Sequence, residues 1–246
     1  MNVLIRYLFL SCLVTVAALT FGQTTGLYNP NLKQSSNNLG GKITGEIYYL
    51  NPKANNYFFL HKEWVKGSVV FKTGEVFENI DLRYQAFNDE LITFNENNRV
   101  LVKIDKEKVK EFTLNFSDSD ENATNPTFVN IDSVSIFVNT NYFECLYRGT
   151  VMLLVSNRVI EKKVTPYNDS NGEFRDSEFI LRKAIFIYSI QNGLSRITYS
   201  NHSLAKIYPD QKREIKKILR QYKIKISDAK SATNALEILD KAGLLK

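Results

Sequence analysis

The chain has few residues that could serve as soft metal ligands or as thiol nucleophiles. Among its 246 residues there are two cysteines and two histidines. It contains no Cys-x-x-Cys pair, no His-x-Glu-x-x-His arrangement and no glycine-rich phosphate loop. Zinc sites and thiol redox centres need several such side chains close together. The sequence therefore predicts no cofactor and no catalytic residue, and it argues against these classes of enzyme.

Long apolar runs are also scarce, and the one at the start of the chain is informative. Residues 7–21 are mainly apolar, follow Arg6 and end at the small residue Gly22. Because a helix needs about 20 apolar residues to span a bilayer, this run is short for an anchor. The pattern predicts a signal peptide over residues 1–22, cleaved between Gly22 and Gln23. An uncleaved anchor and a lipoprotein modified at Cys12 are the alternatives.

Cleavage would remove Cys12 and leave Cys145 as the only thiol, so no disulfide could form within the mature chain. Phe143 and Leu146 flank Cys145, which predicts that the thiol is a small packed residue. A nucleophilic pair of Cys145 and His202 is the alternative.

Two further patterns have a plain and a chemical interpretation. His61 and Glu63 alternate along a strand-like segment, so they are either polar strand residues or two ligands of a metal whose third ligand is distant. Asp118, Asp120 and Glu121 lie together in a polar segment and could hold calcium, but without EF-hand spacing a solvated loop is the simpler interpretation.

The aromatic content, 13 tyrosines and 16 phenylalanines, favours β-structure. After a flexible leader over residues 23–41, short apolar runs about ten residues apart predict a β domain over 42–207. They predict an antiparallel meander that forms a curved sheet, a sandwich or a partial barrel. The predicted strands are 43–50, 64–72, 76–84, 90–94, 100–104, 109–116, 128–138, 142–147, 150–155, 159–164, 178–190 and 194–199. Loops are expected at 118–127 and 165–176, and Asn192-Gly193 predicts a two-residue hairpin turn.

The last part of the chain changes period and predicts an α-helical hairpin over residues 208–246. Pro209 suits the first position of a helix. An apolar stripe then recurs at helical spacing and is expected to pack on the β domain; it consists of Ile215, Ile218, Leu219 and Tyr222. A second helix is expected around Ala232, Ala235, Leu236 and Leu239, with its end at Gly243.

Positive charge is concentrated in this tail. The whole chain has a net charge of +6, and residues 203–246 alone carry 11 basic and 5 acidic side chains. Five of them form the candidate partner surface: Lys212, Lys216, Lys217, Arg220 and Lys223. An envelope protein or an anionic surface would suit it, whereas an exported protein rarely meets nucleic acid. A merely solvated helix face is the alternative.

Three blocks carry a resemblance to a family of exported proteins of Bacteroidetes-type bacteria. They are Trp64–Val70 continuing to Tyr84, Tyr142–Gly149, and His202–Asp210 continuing to Tyr222. The known members are uncharacterised. The resemblance therefore implies a compartment and an architecture, but no activity and no functional residue.

These observations together predict an exported protein of the periplasm or cell surface that does not span the membrane. We expect a non-enzymatic binding or assembly module of the cell envelope. A hydrolase with a site built from loops, or a carrier that encloses an apolar ligand, would be the alternatives. Aromatic residues on strands could also form a face that binds glycan or peptide, although most strand aromatics are core residues.

Overall fold

The computed structural model describes residues 43, 45–49, 56–95, 99–116, 125–131, 142–170 and 172–245. These residues belong to one compact unit, Ser35–Lys246. The predicted signal peptide, its cleavage site at Gly22 and Gln23, and the leader lie outside the described residues. So do the acidic segment at Asp118 and the second half of the strand expected over 128–138.

The described strands form one open, curved antiparallel sheet of eleven strands, in the order β1-β5-β4-β3-β2-β6-β7-β8-β9-β10-β11. Their bounds are β1 Gly45–Ile47, β2 Val65–Phe71, β3 Val76–Gln85, β4 Glu90–Asn95, β5 Val100–Ile104, β6 Val109–Asn115, β7 Thr127–Asn130, β8 Tyr142–Arg148, β9 Met152–Asn168, β10 Phe174–Ser189 and β11 Gly193–Ile197. A short 3-10 helix, Asn56–Phe58, precedes β2. The mainly-β prediction is confirmed, and the curved sheet is the form that the structure adopts.

Neighbours in the sheet are not always neighbours in sequence. β2 pairs with β3 on one side and with β6 on the other, and β1 pairs with β5. The strands therefore do not form a simple meander. The curvature brings β9 close to the end of β3, where the Val159 amide donates to the carbonyl of Ala86 at 3.1 Å.

β9 and β10 are longer than the sequence predicts. The runs expected at 150–155 and 159–164 are one strand of 17 residues, β9. The loop expected over 165–176 is wrong, because β9 and β10 stay paired up to a tight turn in which the Asp169 amide donates to the carbonyl of Glu173. Pro166 is tolerated because the register shifts beside it, and proline occurs at such bulges.

The turn between β10 and β11 also differs from the prediction. Ser189 pairs with Gly193, so three residues form the loop and Gly193 follows it with a φ of 65°. The hairpin is therefore confirmed, but the two-residue turn at Asn192-Gly193 is wrong. A three-residue loop followed by a glycine in the left-handed conformation is the usual alternative.

The C-terminal part contains three helices rather than two: α1 Asn201–Ile207, α2 Lys212–Gln221 and α3 Ala229–Lys241. The sequence did not predict α1, and Pro209 lies in the turn after it rather than at the first position of a helix. None of the helices in the described part of the chain has both the length and the apolar character needed to cross a membrane.

The helices cover one half of the sheet and create a second core there. Leu153 and Val155 of β9 pack in this core with Leu219 of α2 and Leu236 of α3. The expected stripe is correct for Ile215 and Leu219, which are buried, and for the half-buried Ile218. It is wrong for Tyr222, which lies just after α2 and is 57% exposed.

A polar contact fastens α3 to the sheet, and we call it the Asp240 clasp. The carboxylate of Asp240 accepts hydrogen bonds from the hydroxyl of Tyr147 at 2.7 Å and from the amide of Thr150 at 2.9 Å. Burial and the hydrogen bond to Asp240 raise the pKa of Tyr147 to about 12. Between the two donors only glycine fits, because a Cβ on Gly149 would overlap the Asp240 carboxylate.

Candidate functional site

An open groove of about 860 Å³ lies where β2 begins and β6 ends. Pairing of Lys66 with Asn115 brings these two strand ends together. The groove is lined by His61, Lys62, Glu63, Trp64, Val65, Lys66, Asn115, Phe116 and Asn125. Its volume lies within the range of small-molecule sites, roughly 300 to 1,000 Å³. This groove is the candidate site.

Aromatic rings form part of the groove wall. The His61 and Phe116 rings are in contact, with centroids 4.5 Å apart, and the only tryptophan of the chain, Trp64, is 37% exposed. The Asn125 side chain fixes the end of β6, because its Oδ1 accepts from the Phe116 amide at 2.9 Å. The groove therefore offers aromatic surface beside amide and charged side chains.

Two contacts of Arg83 hold the segment that carries His61. The Arg83 guanidinium lies over the Phe59 ring at 3.8 Å, and its Nε donates to the His61 carbonyl at 3.4 Å. Burial is the main influence on the pKa of Arg83 and lowers it from its ordinary value, while Glu63 acts in the opposite direction. Arg83 is thus a positioning residue beneath the groove.

The His61 ring is half-buried, and this burial is the main reason why the pKa of His61 lies below its ordinary value. Lys183 lowers that pKa further, and Glu144 acts against both effects. Because free histidine has a pKa of about 6.5, His61 is mostly neutral at pH 7. It presents an uncharged ring to the groove.

Glu144 and Lys183 belong to a polar patch between the two cores. Asn157 of β9 is 1% exposed, and its Nδ2 donates to Glu144 Oε2 at 2.7 Å. Lys183 is the register partner of Asn157 on β10. Val155 and Val159 lie two residues away on either side of Asn157. Val155 packs in the helix-covered core, whereas Val159 packs in the core of the other half of the sheet, which contains Leu82 and Phe112. Residues two apart on a strand share a face, so a polar seam separates the two cores.

A second, smaller cavity of about 480 Å³ lies between the β3–β4 turn and β9. Asp89, which has a φ of 60°, lines it together with Lys106 and Arg158. The Asp89 carboxylate is buried and accepts from the Tyr84 hydroxyl at 2.7 Å and from Lys106 Nζ at 2.9 Å. Because these contacts tie β3, β4 and the β5–β6 turn together, we assign Asp89 and Lys106 a structural role.

The basic residues predicted as a partner surface lie on α2 and just beyond it. Lys217, Arg220 and Lys223 are exposed, whereas Lys212 and Lys216 are half-buried. Within the described residues, none of the five takes part in an ion pair. The structure thus leaves this surface open to an anionic partner.

Cys145 and His202 lie on different elements and in different surroundings, Cys145 on β8 and His202 on α1. Cys145 is half-buried beside Phe143 in a small core on the sheet face opposite the helices, which we call the outer face. Its Sγ donates to the carbonyl of Tyr147 at 3.4 Å. Burial is the largest influence on the pKa of Cys145 and raises it, although Arg148 acts against it. His202 is exposed on α1. A neutral, half-buried thiol is consistent with a packed residue.

His61 and Glu63 both line the groove, but the described residues contain no group of three or more His, Cys, Asp or Glu side chains that could hold a metal ion. Most aromatic residues on the described strands are buried; Phe94, Tyr167 and Phe174 are exposed. Tyr57, expected on a strand, is exposed and lies in the short 3-10 helix. Sequence reasoning missed the groove, and the one signal that could have indicated it is the single tryptophan placed between charged residues.

The fold and the groove define a class: a mainly-β protein with a curved antiparallel sheet, one half of which is covered by C-terminal helices. Comparisons with protein-family models, curated proteins and solved structures find no match to this chain.

Proposed function

We propose that the protein is an exported, non-enzymatic binding module of the bacterial cell envelope, and that its groove takes a saccharide chain. The observation that carries the proposal is the groove itself, which places the exposed Trp64 beside the ring pair of His61 and Phe116. Among the described residues the groove is open to solvent, so a polymer could extend beyond it.

The mixture of side chains favours a saccharide over an apolar ligand. Aromatic rings present a negative face that attracts the C–H groups of a sugar ring. The amides of Asn115 and Asn125 and the charged groups of Lys62, Glu63 and Lys66 supply hydrogen-bond donors and acceptors for hydroxyl groups. An apolar ligand would displace water from the exposed side chains of Lys62 and Glu63 without replacing its hydrogen bonds, and would bind weakly.

The single tryptophan provides a direct test. Addition of neutral or anionic oligosaccharides of the cell envelope should change the fluorescence of Trp64, since no other tryptophan contributes. In calorimetry, Trp64→Ala should weaken binding about tenfold or more, equivalent to about 1.4 kcal/mol. Phe94→Ala is the matched control, because Phe94 is 39% exposed and is not among the residues that line the groove.

The proposal fails if these oligosaccharides leave the Trp64 fluorescence unchanged at millimolar concentration. It also fails if the Trp64 and Phe94 variants bind equally well. Turnover of the saccharide by the wild-type protein would favour the hydrolase alternative instead.

Export is the second part of the proposal. Protein recovered from the native host should begin at Gln23 and should fractionate as soluble or peripherally bound. A protein that retains Met1 in the membrane fraction would contradict a cleaved signal.

The basic surface supports a second, compatible role as a contact for an anionic partner. Lys212, Lys216 and Arg220 follow one another at i, i+4 spacing on α2 and form one stripe, and Lys223 lies just beyond the end of the helix. Charge reversal at Lys216 and Lys217 should reduce binding to anionic vesicles at low salt and should have little effect at about 1 M salt, where charges are screened within about 3 Å. Equal binding by wild type and variant at low salt would exclude this role.

A further inference from the structure

The outer halves of β9 and β10 form a two-stranded arm that extends beyond the rest of the sheet. We call residues 160–168 and 174–183 the distal ribbon. β8 pairs with β9 no further than Val155, and β11 pairs with β10 only from Ile185 onward. In the described part of the chain, neither outer edge of the distal ribbon has a strand partner.

An unpaired strand edge is a row of N–H and C=O groups that can pair with another chain. The β9 edge is poorly suited to this, because Pro166 lacks an N–H group and lies at a bulge. The β10 edge contains no proline and runs for ten residues from Phe174 to Lys183. At the ends of the sheet, β1 and β11 have only three and five residues. The β10 edge is therefore the best template for strand addition among the described strands.

Most charged side chains of the distal ribbon have an opposite charge beside them: Arg175 pairs with Asp169, Lys163 pairs with Asp176, and Glu178 lies opposite Lys162. Arg182 is the exception. Arg182 lies directly opposite Arg158 in the β9–β10 register, and like charges in this position repel each other. Among the described residues, Arg182, Arg158 and Glu178 form no ion pair. An acidic group added beside Arg182 would relieve the repulsion.

We propose that a second copy of the chain supplies this group by antiparallel pairing of β10 with β10 about a two-fold axis at Ile180. In this register Glu178 lies opposite the partner's Arg182, and the two-fold axis creates the pair twice. Ile180 lies opposite the partner's Ile180 at the centre. Pairing ends at Asp176 and the partner's Ala184, because β11 occupies the β10 edge from Ile185 onward and leaves no place for Arg175. The other charged residues of the paired segment then face uncharged positions: Asp176 lies opposite the partner's Ala184, and Lys183 lies opposite the partner's Ser177.

Neighbouring registers are less favourable. Centring the axis on Phe179 places Asp176 opposite the partner's Arg182, but it also places Arg175 opposite the partner's Lys183, which are like charges and offset the gain. Centring the axis on Leu181 instead leaves Arg182 without an acidic neighbour. The charge pattern therefore selects one register, and the proposal does not depend on the saccharide groove.

A charge-swap series measured by analytical ultracentrifugation tests the dimer. The wild-type protein should show a monomer–dimer equilibrium between about 1 and 100 μM, the range of weak to moderate association. Glu178→Arg and Arg182→Glu should each weaken the dimer at least about tenfold, because each places like charges opposite each other twice. The double swap should restore the wild-type dissociation constant to within about threefold.

A mixture of the two single variants gives the sharpest result. The arginine introduced by Glu178→Arg in one chain would face the glutamate introduced by Arg182→Glu in the other. The mixed dimer should therefore form although neither variant dimerises well alone. Lys110→Glu on β6 is the control reversal, since Lys110 is exposed and lies outside β10. Circular dichroism and denaturant unfolding establish that each variant is folded.

A wild-type protein that stays monomeric at 100 μM overturns the proposal. So does a dimer that both single reversals leave intact, because it must form elsewhere. Failure of the double swap to restore association would show that the two residues do not face each other.

Discussion

The two halves of β9 and β10 share the same pairing but have different surroundings. Near the helices, residues such as Leu153 and Ile187 are fully buried, whereas beyond Asn157 most side chains of both strands are exposed. The register nevertheless continues to Asn168 and Phe174. Strand pairing can therefore extend well past the core that stabilises it, and the stabilisation of β9 and β10 should be concentrated in their helix-covered half.

The largest expected effect tests this difference directly. Leu219→Ala should lower the free energy of unfolding by about 2 to 5 kcal/mol, because it leaves a cavity in the helix-covered core. Tyr167→Ala, on the distal ribbon, should cost less than about 0.5 kcal/mol, because the side chain is 45% exposed and belongs to none of the hydrophobic cores. Urea denaturation measures both, and equal losses would refute the comparison.

A pair of glycine substitutions locates the difference more finely. Gly149→Ala should destabilise the protein by about 1 to 3 kcal/mol, because its Cβ would displace Asp240 from the clasp. Gly172→Ala meets no atom within 4 Å and carries only the cost of its φ of +77°, about 1 to 2 kcal/mol.

Hydrogen exchange separates the two glycine substitutions even if their total costs are similar. The Gly149 variant should lose protection in α3, and the Gly172 variant should lose it only in the β9–β10 turn. Loss of protection in α3 in both variants would mean that the two halves unfold as one unit.

Cys145→Ala should have a smaller effect, about 1 to 2 kcal/mol, because a half-buried thiol is replaced by a methyl group. Saccharide binding should be retained, since Cys145 packs on the outer face of the sheet with Phe143. Loss of binding at an unchanged melting temperature would instead give the thiol a direct functional role.

The smallest expected effect is on the pH dependence of stability, through His61 and the charged residues of the polar seam, Glu144 and Lys183. Since the pKa of His61 is lowered in the folded state, the unfolded chain takes up the proton first as the pH falls. His61 therefore contributes stability that is fully present above about pH 6.5 and is lost as the pH falls below that value. In urea denaturation, the free energy of unfolding should decrease less between pH 7.5 and pH 5.5 for His61→Gln than for wild type.

The sequence predicted those elements whose signals are local. Alternating apolar residues located most strands, and the helical spacing of Ile215 and Leu219 identified the buried face of α2. The predictions were wrong where the local structure is determined by contacts between residues that are distant in sequence. Pro166 and Gly172 resemble a loop, but pairing with β10 keeps this region in a ribbon. Tyr222 fits the apolar stripe, yet α2 ends before it.

The groove could not be predicted for the same reason. Trp64 and Phe116 become neighbours only because β2 pairs with β6 rather than solely with the adjacent β3. The polar seam at Asn157 likewise depends on where the helices stop covering β9. Neither arrangement leaves a pattern within a short window of sequence.

The Asp240 clasp has a consequence for the timing of biosynthesis. Asp240 follows Thr150, which it fastens, by 90 residues. At ~5 to 20 residues per second, roughly 5 to 18 s of synthesis separate the two. Until α3 is made, Leu153 and Val155 lack part of the helix cover of their core, so the nascent chain exposes an apolar surface. Chaperone dependence should therefore be greatest before α3 emerges.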